Sequence, residues 1–148
     1  MRVPTQDDVT RLVVLGLAMH AESRYSRFAV NLEKTEAFFR GVIDDPSAIV
    51  LVEGDPIHAM FVGYVQPFWW SDELESFDLL LYVLPEHRGK GYAAAKLVSA
   101  YAKEAVKRGV MDPKLGETTG LDSERTGRFF ERMGFRRLGA VFTFQTVH

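Results

Sequence analysis

Apolar residues at Val9, Leu12, Val13 and Leu17 recur at three- and four-residue intervals, the spacing that gathers them on one face of a helix. Thr5-Gln6-Asp7-Asp8 stands just before them. Thr5 or Asp7 is therefore expected to cap this first helix, with the acids at the positive end of its dipole. The stretch His20 to Asn31, HAESRYSRFAVN, loses the period and reads as a connector. Helical spacing returns from Leu32 to Ile43 through Phe38, Phe39, Val42 and Ile43. Asp44-Asp45-Pro46 ends it, because the residue before a proline avoids helical geometry.

The pattern then changes to strands. Ala48 to Glu53 (AIVLVE) and Ile57 to Gln66 flank the turn signal Gly54-Asp55-Pro56 and predict a hairpin. Pro67 to Leu74, PFWWSDEL, reads as an exposed loop, and Glu75 to Leu84 as a long third strand. Ala93 to Arg108 is an alanine-rich helix that Gly109 terminates. A weak strand is expected around Lys114 to Thr119, then a short helix over Asp122 to Met133 closed by Gly134. Phe135 to Val147 is strand-like again, with a bend at Gly139-Ala140, and Phe129, Met133 and Phe135 read as core. The order α-α-β-β-β-α-β-α-β predicts one α/β domain over residues 1–148, a mixed sheet with helices on its faces.

Composition narrows the function. The 148 residues are 47% hydrophobic, enough for a sizeable core. A net charge of -2 argues against a nucleic-acid partner, which would call for a strongly basic chain. The absence of cysteine excludes a disulfide framework, a thiolate metal site and a cysteine nucleophile, and no metal is expected. The first residues, MRVPTQDDVTRLV, do not form a signal peptide, and no apolar run approaches the length of a membrane span. A cytoplasmic protein without a membrane partner is the expectation.

The chemistry concentrates in PEHRGKGYAAAKL, Pro85 to Leu97, between the third strand and the alanine-rich helix. A strand that ends in a glycine-rich turn and opens a helix presents free backbone N–H groups at the positive end of the helix dipole, which suits a phosphate. Gly89 and Gly91 permit close approach to the backbone, and Arg88 and Lys90 add positive charge. A Walker A loop is ruled out, because Gly89-Lys90 is followed by Gly91 and not by Ser or Thr. The dinucleotide fingerprint G-x-G-x-x-G/A fits Gly89, Gly91 and Ala94, but it belongs to the first unit of a parallel β-α-β fold and here comes after a meander.

The third pattern is the acyl-CoA loop R/Q-x-x-G-x-G/A, filled by Arg88, Gly91 and Ala93. With it, LYVLPEHRGKGYAAAKLV (Leu81 to Val98) resembles the GNAT (Gcn5-related) N-acetyltransferases. The resemblance extends to SERTGRFFERMGF, Ser123 to Phe135, and to the element order over nearly the whole chain. It implies an α/β (α+β) acyl-CoA N-acyltransferase fold, a mixed, mostly antiparallel sheet of about six to seven strands flanked by about four helices.

The resemblance also implies acetyl-CoA as co-substrate and direct attack of a primary amine, from a small molecule or a protein, on the thioester. The backbone of Tyr82, Val83 and Leu84 would pair with the pantetheine arm, and the Val83 amide would polarise the thioester carbonyl. The amides of Gly89, Lys90, Gly91, Tyr92, Ala93 and Ala94 would hold the pyrophosphate, helped by Arg88 and Lys90. Counting back from Val83 by twos places Glu75 on the same strand face as a candidate general base. Asp78 points to the other face in that register, and a β-bulge would reverse the phase for the residues before it. The family's usual general-acid tyrosine aligns with Phe130, and its usual asparagine with Ser123, both beside the expected cofactor. Phenylalanine donates no proton. The acceptor pocket would draw on His20, Glu22 and Tyr25 and on Trp69 and Trp70, whose rings beside Asp72 and Glu73 suit a cationic ligand or a homodimer contact. Phe130 keeps open a CoA-binding module with little turnover, and the two-tryptophan loop an interaction domain.

Overall fold

The computed structural model describes residues 1–146. The chain runs α1 (Val9–Glu22), α2 (Leu32–Asp44), β1 (Ala48–Gly54), β2 (Ile57–Pro67), β3 (Leu74–Val83), α3 (Ala93–Lys107), β4 (Val110–Pro113) and α4 (Ser123–Arg132). The four strands lie in the order β1-β2-β3-β4, with β4 parallel to β3 and the other pairs antiparallel. The mixed α/β class and the sequence of helices and strands match the expectation as far as α4.

Alternation along β1 and β2 divides the core in two. Ile49, Leu51, Ala59 and Phe61 point to α3 and meet Leu97, Tyr101 and Ala105. Val52, Ile57, Met60 and Tyr82 point to the opposite face and meet Val9, Leu12 and Leu15 of α1 and Phe39 of α2. The edge-to-face contact of Phe61 with Tyr101, ring centroids 4.6 Å apart, anchors α3 over the middle of the sheet.

A β-bulge in β3 reverses the facing of the residues before it. Val62 pairs with Leu80, yet Gly63 pairs with Asp78, so Leu79 is the extra residue, and it is exposed. Three consecutive leucines cannot all face one core from a regular strand. The bulge keeps Leu80 and Leu81 on opposite packed faces and turns Leu79 outward.

Several boundaries differ from the sequence expectation. The first helix continues through His20 to Glu22, and a 3-10 turn at Arg24–Arg27 comes next. That helix is preceded by a 3-10 turn at Gln6–Asp8, closed by a 2.8 Å bond from the Thr5 amide to the Asp8 carboxylate. The weak strand falls earlier, at Val110–Pro113, and Lys114 to Thr119 is irregular. Residues 135–146 form no strand, and Val141, Phe142 and Phe144 are largely exposed; Val147, at the end of the predicted strand, lies outside the described residues. The sheet therefore has four strands among the described residues. Strand propensity in this tail is not matched by a β-ladder among the described residues, and propensity alone does not hold a strand. Phe129, Met133 and Phe135 are only half-buried, and α4 contributes no residue to the core.

Candidate functional site

β3 and β4 run together only briefly. Leu74 to Ser76 pair with Val110 to Pro113, and a last bond runs 2.9 Å from the Lys114 amide to the Ser76 carbonyl. Beyond it the strands part. A buried hydroxyl pair holds the fork: Ser76 Oγ and Tyr101 Oη lie 2.7 Å apart, and Tyr101 Oη also donates to the Lys114 carbonyl at 2.9 Å. Just past the fork, the Asp78 carboxylate accepts a 2.7 Å bond from the Gly116 amide.

On the open side of β3, alternation decides which backbone groups are free. The Leu84 amide donates to the His58 carbonyl of β2 at 2.9 Å. Leu84 and, two residues back, Tyr82 thus turn their backbone polar groups toward β2, and Val83 turns its own to the fork. Of the three residues expected to pair with an acyl arm, only Val83 is placed to do so. Its carbonyl accepts a 2.9 Å bond from Arg88 Nε.

The glycine loop comes next in the chain. Gly89 (φ 75°), Gly91 (φ 66°) and Tyr92 (φ 56°) are all left-handed. Nothing lies within 4 Å of a β-carbon built on Gly89 or Gly91, so in the free protein these glycines serve the backbone conformation and leave open space above the loop. The first bond of α3 runs from the Lys96 amide to the Tyr92 carbonyl at 3.0 Å. The amides of Ala93, Ala94 and Ala95 accordingly have no helical partner. Lys90 is exposed and pairs with no carboxylate among the described residues, so loop, dipole and lysine together favour an anion.

Arg88 does not join them. Its guanidinium holds Glu22, at the end of α1, through bonds of 2.5 and 2.8 Å, and lies over the Tyr82 ring. Tyr82 Oη donates to the same carboxylate at 2.9 Å. The hydrogen bonds from Arg88 and then Tyr82 hold Glu22 below the usual carboxyl range, and burial with the neighbouring Glu22 charge pushes Tyr82 up to about 12.

The two strand acids exchange the faces expected from a regular strand. Through the bulge, Glu75 pairs with Gln66 and Asp78 with Gly63, so Asp78 shares the face of Val83 and Glu75 lies on the other. Glu75 accepts from Gln66 at 3.2 Å and pairs with Lys114 at 3.3 Å. Asp78 has no cation beside it among the described residues, and desolvation in the fork pushes it up to about 6 against the bond from Gly116.

The residues expected to form an acceptor pocket do not converge. His20 Nε2 lies 2.8 Å from the Phe28 carbonyl and lines a cavity of about 550 Å³ between α1 and α2 with Gly16, Asn31, Lys34 and Phe38. Tyr25 stacks on Phe28 at 6.3 Å. Trp69 and Trp70 pack edge to face at 4.6 Å in the β2–β3 loop, at the end of β3 remote from Val83. Ser123 Oγ donates to Glu117, and the half-buried Phe130 ring sits between Phe129 and Phe135, at 5.7 and 6.4 Å. Sequence reasoning missed the Gly116 amide and the Glu22–Arg88 link, which join residues far apart in the chain.

The model of the acetyltransferase (GNAT) domain matches residues 45–137, from the start of β1 past the end of α4. The chain belongs to the GNAT acetyltransferase family. Solved acetyltransferase structures share its fold at low identity. A putative acetyltransferase from Agrobacterium tumefaciens superposes with a TM-score of 0.77 at 17% identity, covering 98% of each chain. An aminoglycoside acetyltransferase from an uncultured soil metagenomic sample gives 0.74 at 13% identity, over 98% of this chain and 93% of that one. A ribosomal-protein-alanine N-acetyltransferase from Brucella melitensis biovar Abortus 2308 gives 0.68 at 19% identity, over 97% and 96%. No curated protein matches significantly in sequence. Among the described residues of this GNAT chain, no group of three potential metal ligands gathers, and no helix is long and apolar enough to cross a membrane.

Proposed function

We propose that this GNAT protein is an acetyl-CoA-dependent N-acetyltransferase that acts on a primary amine, of a small molecule or a protein, by direct transfer. The observation that carries the reading is the succession along one chain segment of an open strand edge at Val83 and a left-handed loop that presents Lys90 and the unpaired first-turn amides of α3. The residues present fit such a donor. Val83 turns its amide to the fork, the first-turn amides of α3 are unpaired, and the space above Gly89 and Gly91 is open.

The donor supplies an acyl group activated as a thioester. Val83 N–H would pair with its arm and face the oxygen where negative charge develops. The Lys90 side chain and the amides of Gly89 and of Gly91 to Ala94 would neutralise the phosphates, the Lys90 amide being bonded to the His87 carbonyl. Asp78, rather than Glu75, fits the base. It lies at the fork on the Val83 face, and a carboxylate that titrates near 6 is ionised at neutral pH yet basic enough to relay an ammonium proton. The amine nitrogen then bonds to the acyl carbon as the carbon–sulfur bond breaks, and the departing thiolate takes up a proton. No tyrosine stands at Phe130 to donate it.

That phenylalanine supports a second reading, a CoA-binding module with little turnover. Calorimetric titration with acetyl-CoA, CoA and NAD separates the cases. Micromolar binding of the CoA species without NAD is expected, together with amine-dependent release of free CoA across a panel of primary amines. Binding without release for any amine leaves the module reading; a folded sample that binds no CoA species defeats both.

A further inference from the structure

The Glu22–Arg88 pair joins the end of α1 to the residue that opens the glycine loop of the proposed donor site, and the inference rests on that reading. Arg88 immediately precedes the glycine loop, whose φ values of 75° and 66° at Gly89 and Gly91 depend on glycine. Its three guanidinium nitrogens all face inward: Nε to the Val83 carbonyl at 2.9 Å, Nη1 and Nη2 to Glu22 at 2.5 and 2.8 Å. One cation thus ties the end of α1 to the tip of β3. It occupies a backbone acceptor on the edge where an acyl arm would add as a strand, and it neutralises the carboxylate beside Tyr82. Both partners remain within reach of solvent, with 40% of the Arg88 side chain and 26% of Glu22 exposed. An exchange of partners therefore needs no opening of the core.

We propose that the Glu22–Arg88 ion pair is a latch across the donor site. An anionic acyl donor draws Arg88 off Glu22 and onto its phosphates. The Glu22 carboxylate, left with Tyr82 Oη as its hydrogen-bond donor, becomes a subsite for a cationic amine. A carboxylate stripped of its cation attracts an ammonium ion, whereas one in a bidentate pair does not. Coupling of this kind is reciprocal: whatever holds Arg88 on Glu22 weakens the donor, and the donor weakens that hold.

Two measurements on the full chain test it. In calorimetric titration with CoA, Glu22→Gln is expected to bind about three- to tenfold more tightly than wild type, since Arg88 no longer has to leave an ion pair. In an Arg88→Ala background the same substitution is expected to change nothing. Unchanged or weaker CoA binding by Glu22→Gln overturns the latch and makes the pair a structural post. If Glu22→Gln does not fold, Glu22→Asp, too short to hold the same pair, takes its place with the same expectation. The second measurement uses wild type alone. Labelling with a water-soluble carbodiimide and glycine ethyl ester, read by mass spectrometry, is expected to modify Glu22 faster with saturating CoA than without. Equal or slower labelling overturns the exchange. No CoA binding by wild type overturns the latch and the proposed donor together, whereas binding with either negative result overturns the latch alone.

Discussion

The Asp78 carboxylate accepts the Gly116 amide at 2.7 Å across the point where β3 and β4 separate. This bond closes the base of the fork with a side chain where a strand ladder has just ended. It places an acid with a raised pKa on the Val83 face of β3, at the fork.

Asp78→Asn tests the base. The amide oxygen can still accept from Gly116, so the fork is kept while the proton acceptor is lost. Acetyl transfer is expected to fall about 10²- to 10⁴-fold, the usual contribution of a general base. In wild type the rate should decline below pH 6, where Asp78 protonates. A rate within twofold of wild type for Asp78→Asn, with Glu75→Gln inactive, would return the role to Glu75.

The same residue makes a prediction about stability. Its folded pKa is raised from 3.8 to about 6, so the protonated form favours folding. Stability from this group is complete below pH 4 and is lost as pH rises through 6. Asp78→Asn is therefore expected to raise Tm at pH 8 relative to wild type and to leave it nearly unchanged at pH 3.5. A stabilisation of equal size at both values would contradict the assigned shift.

Asp8 shows the opposite sign. Its bonds from Arg2 and the Thr5 amide lower it from 3.8 to about 2. Its contribution is present above pH 4 and disappears as pH falls through 2. Asp8→Ala should cost about 1 kcal/mol at pH 7, as the loss of a helix-start cap does. Denaturant titration at both pH values reads the difference, and an equal cost at pH 2 would count against it.

Gly91 separates conformation from contact. Gly91→Val places a β-branched residue at φ 66° and should cost about 1–2 kcal/mol as well as abolish CoA binding. Gly91→Asn tolerates the left-handed region, so its Tm should stay near that of wild type while its β-carbon obstructs the phosphates. CoA binding by Gly91→Asn at wild-type strength would show that nothing approaches the loop closely.

Tyr101→Phe removes the acceptor of the buried Ser76 hydroxyl and the donor to the Lys114 carbonyl. The expected loss is about 1–3 kcal/mol, the cost of leaving buried polar groups unpaired. Ser76→Ala added to it should cost less than the sum of the two single changes, because both delete the same bond. Strict additivity by denaturant unfolding would show that the pair does not act as a unit.

The sequence by itself determined the elements whose cause is local. Period-3.6 stretches became α1, α2 and α3, Gly54-Asp55-Pro56 became the hairpin turn, and Arg-Gly-Lys-Gly became a left-handed loop opening a helix. The two motifs that resemble the GNAT family both lie within the segment its domain model matches. Tertiary structure decided whatever depends on neighbours distant in sequence. The bulge at Leu79 turns that leucine outward, and it moves Asp78 and not Glu75 to the side of Val83. Glu22 meets Arg88 only because α1 ends over the tip of β3. The tail after α4 has strand composition but forms no strand among the described residues. Propensity and periodicity act within a few residues of the chain, whereas register, charge partners and sheet membership are settled by whichever surface the fold brings alongside.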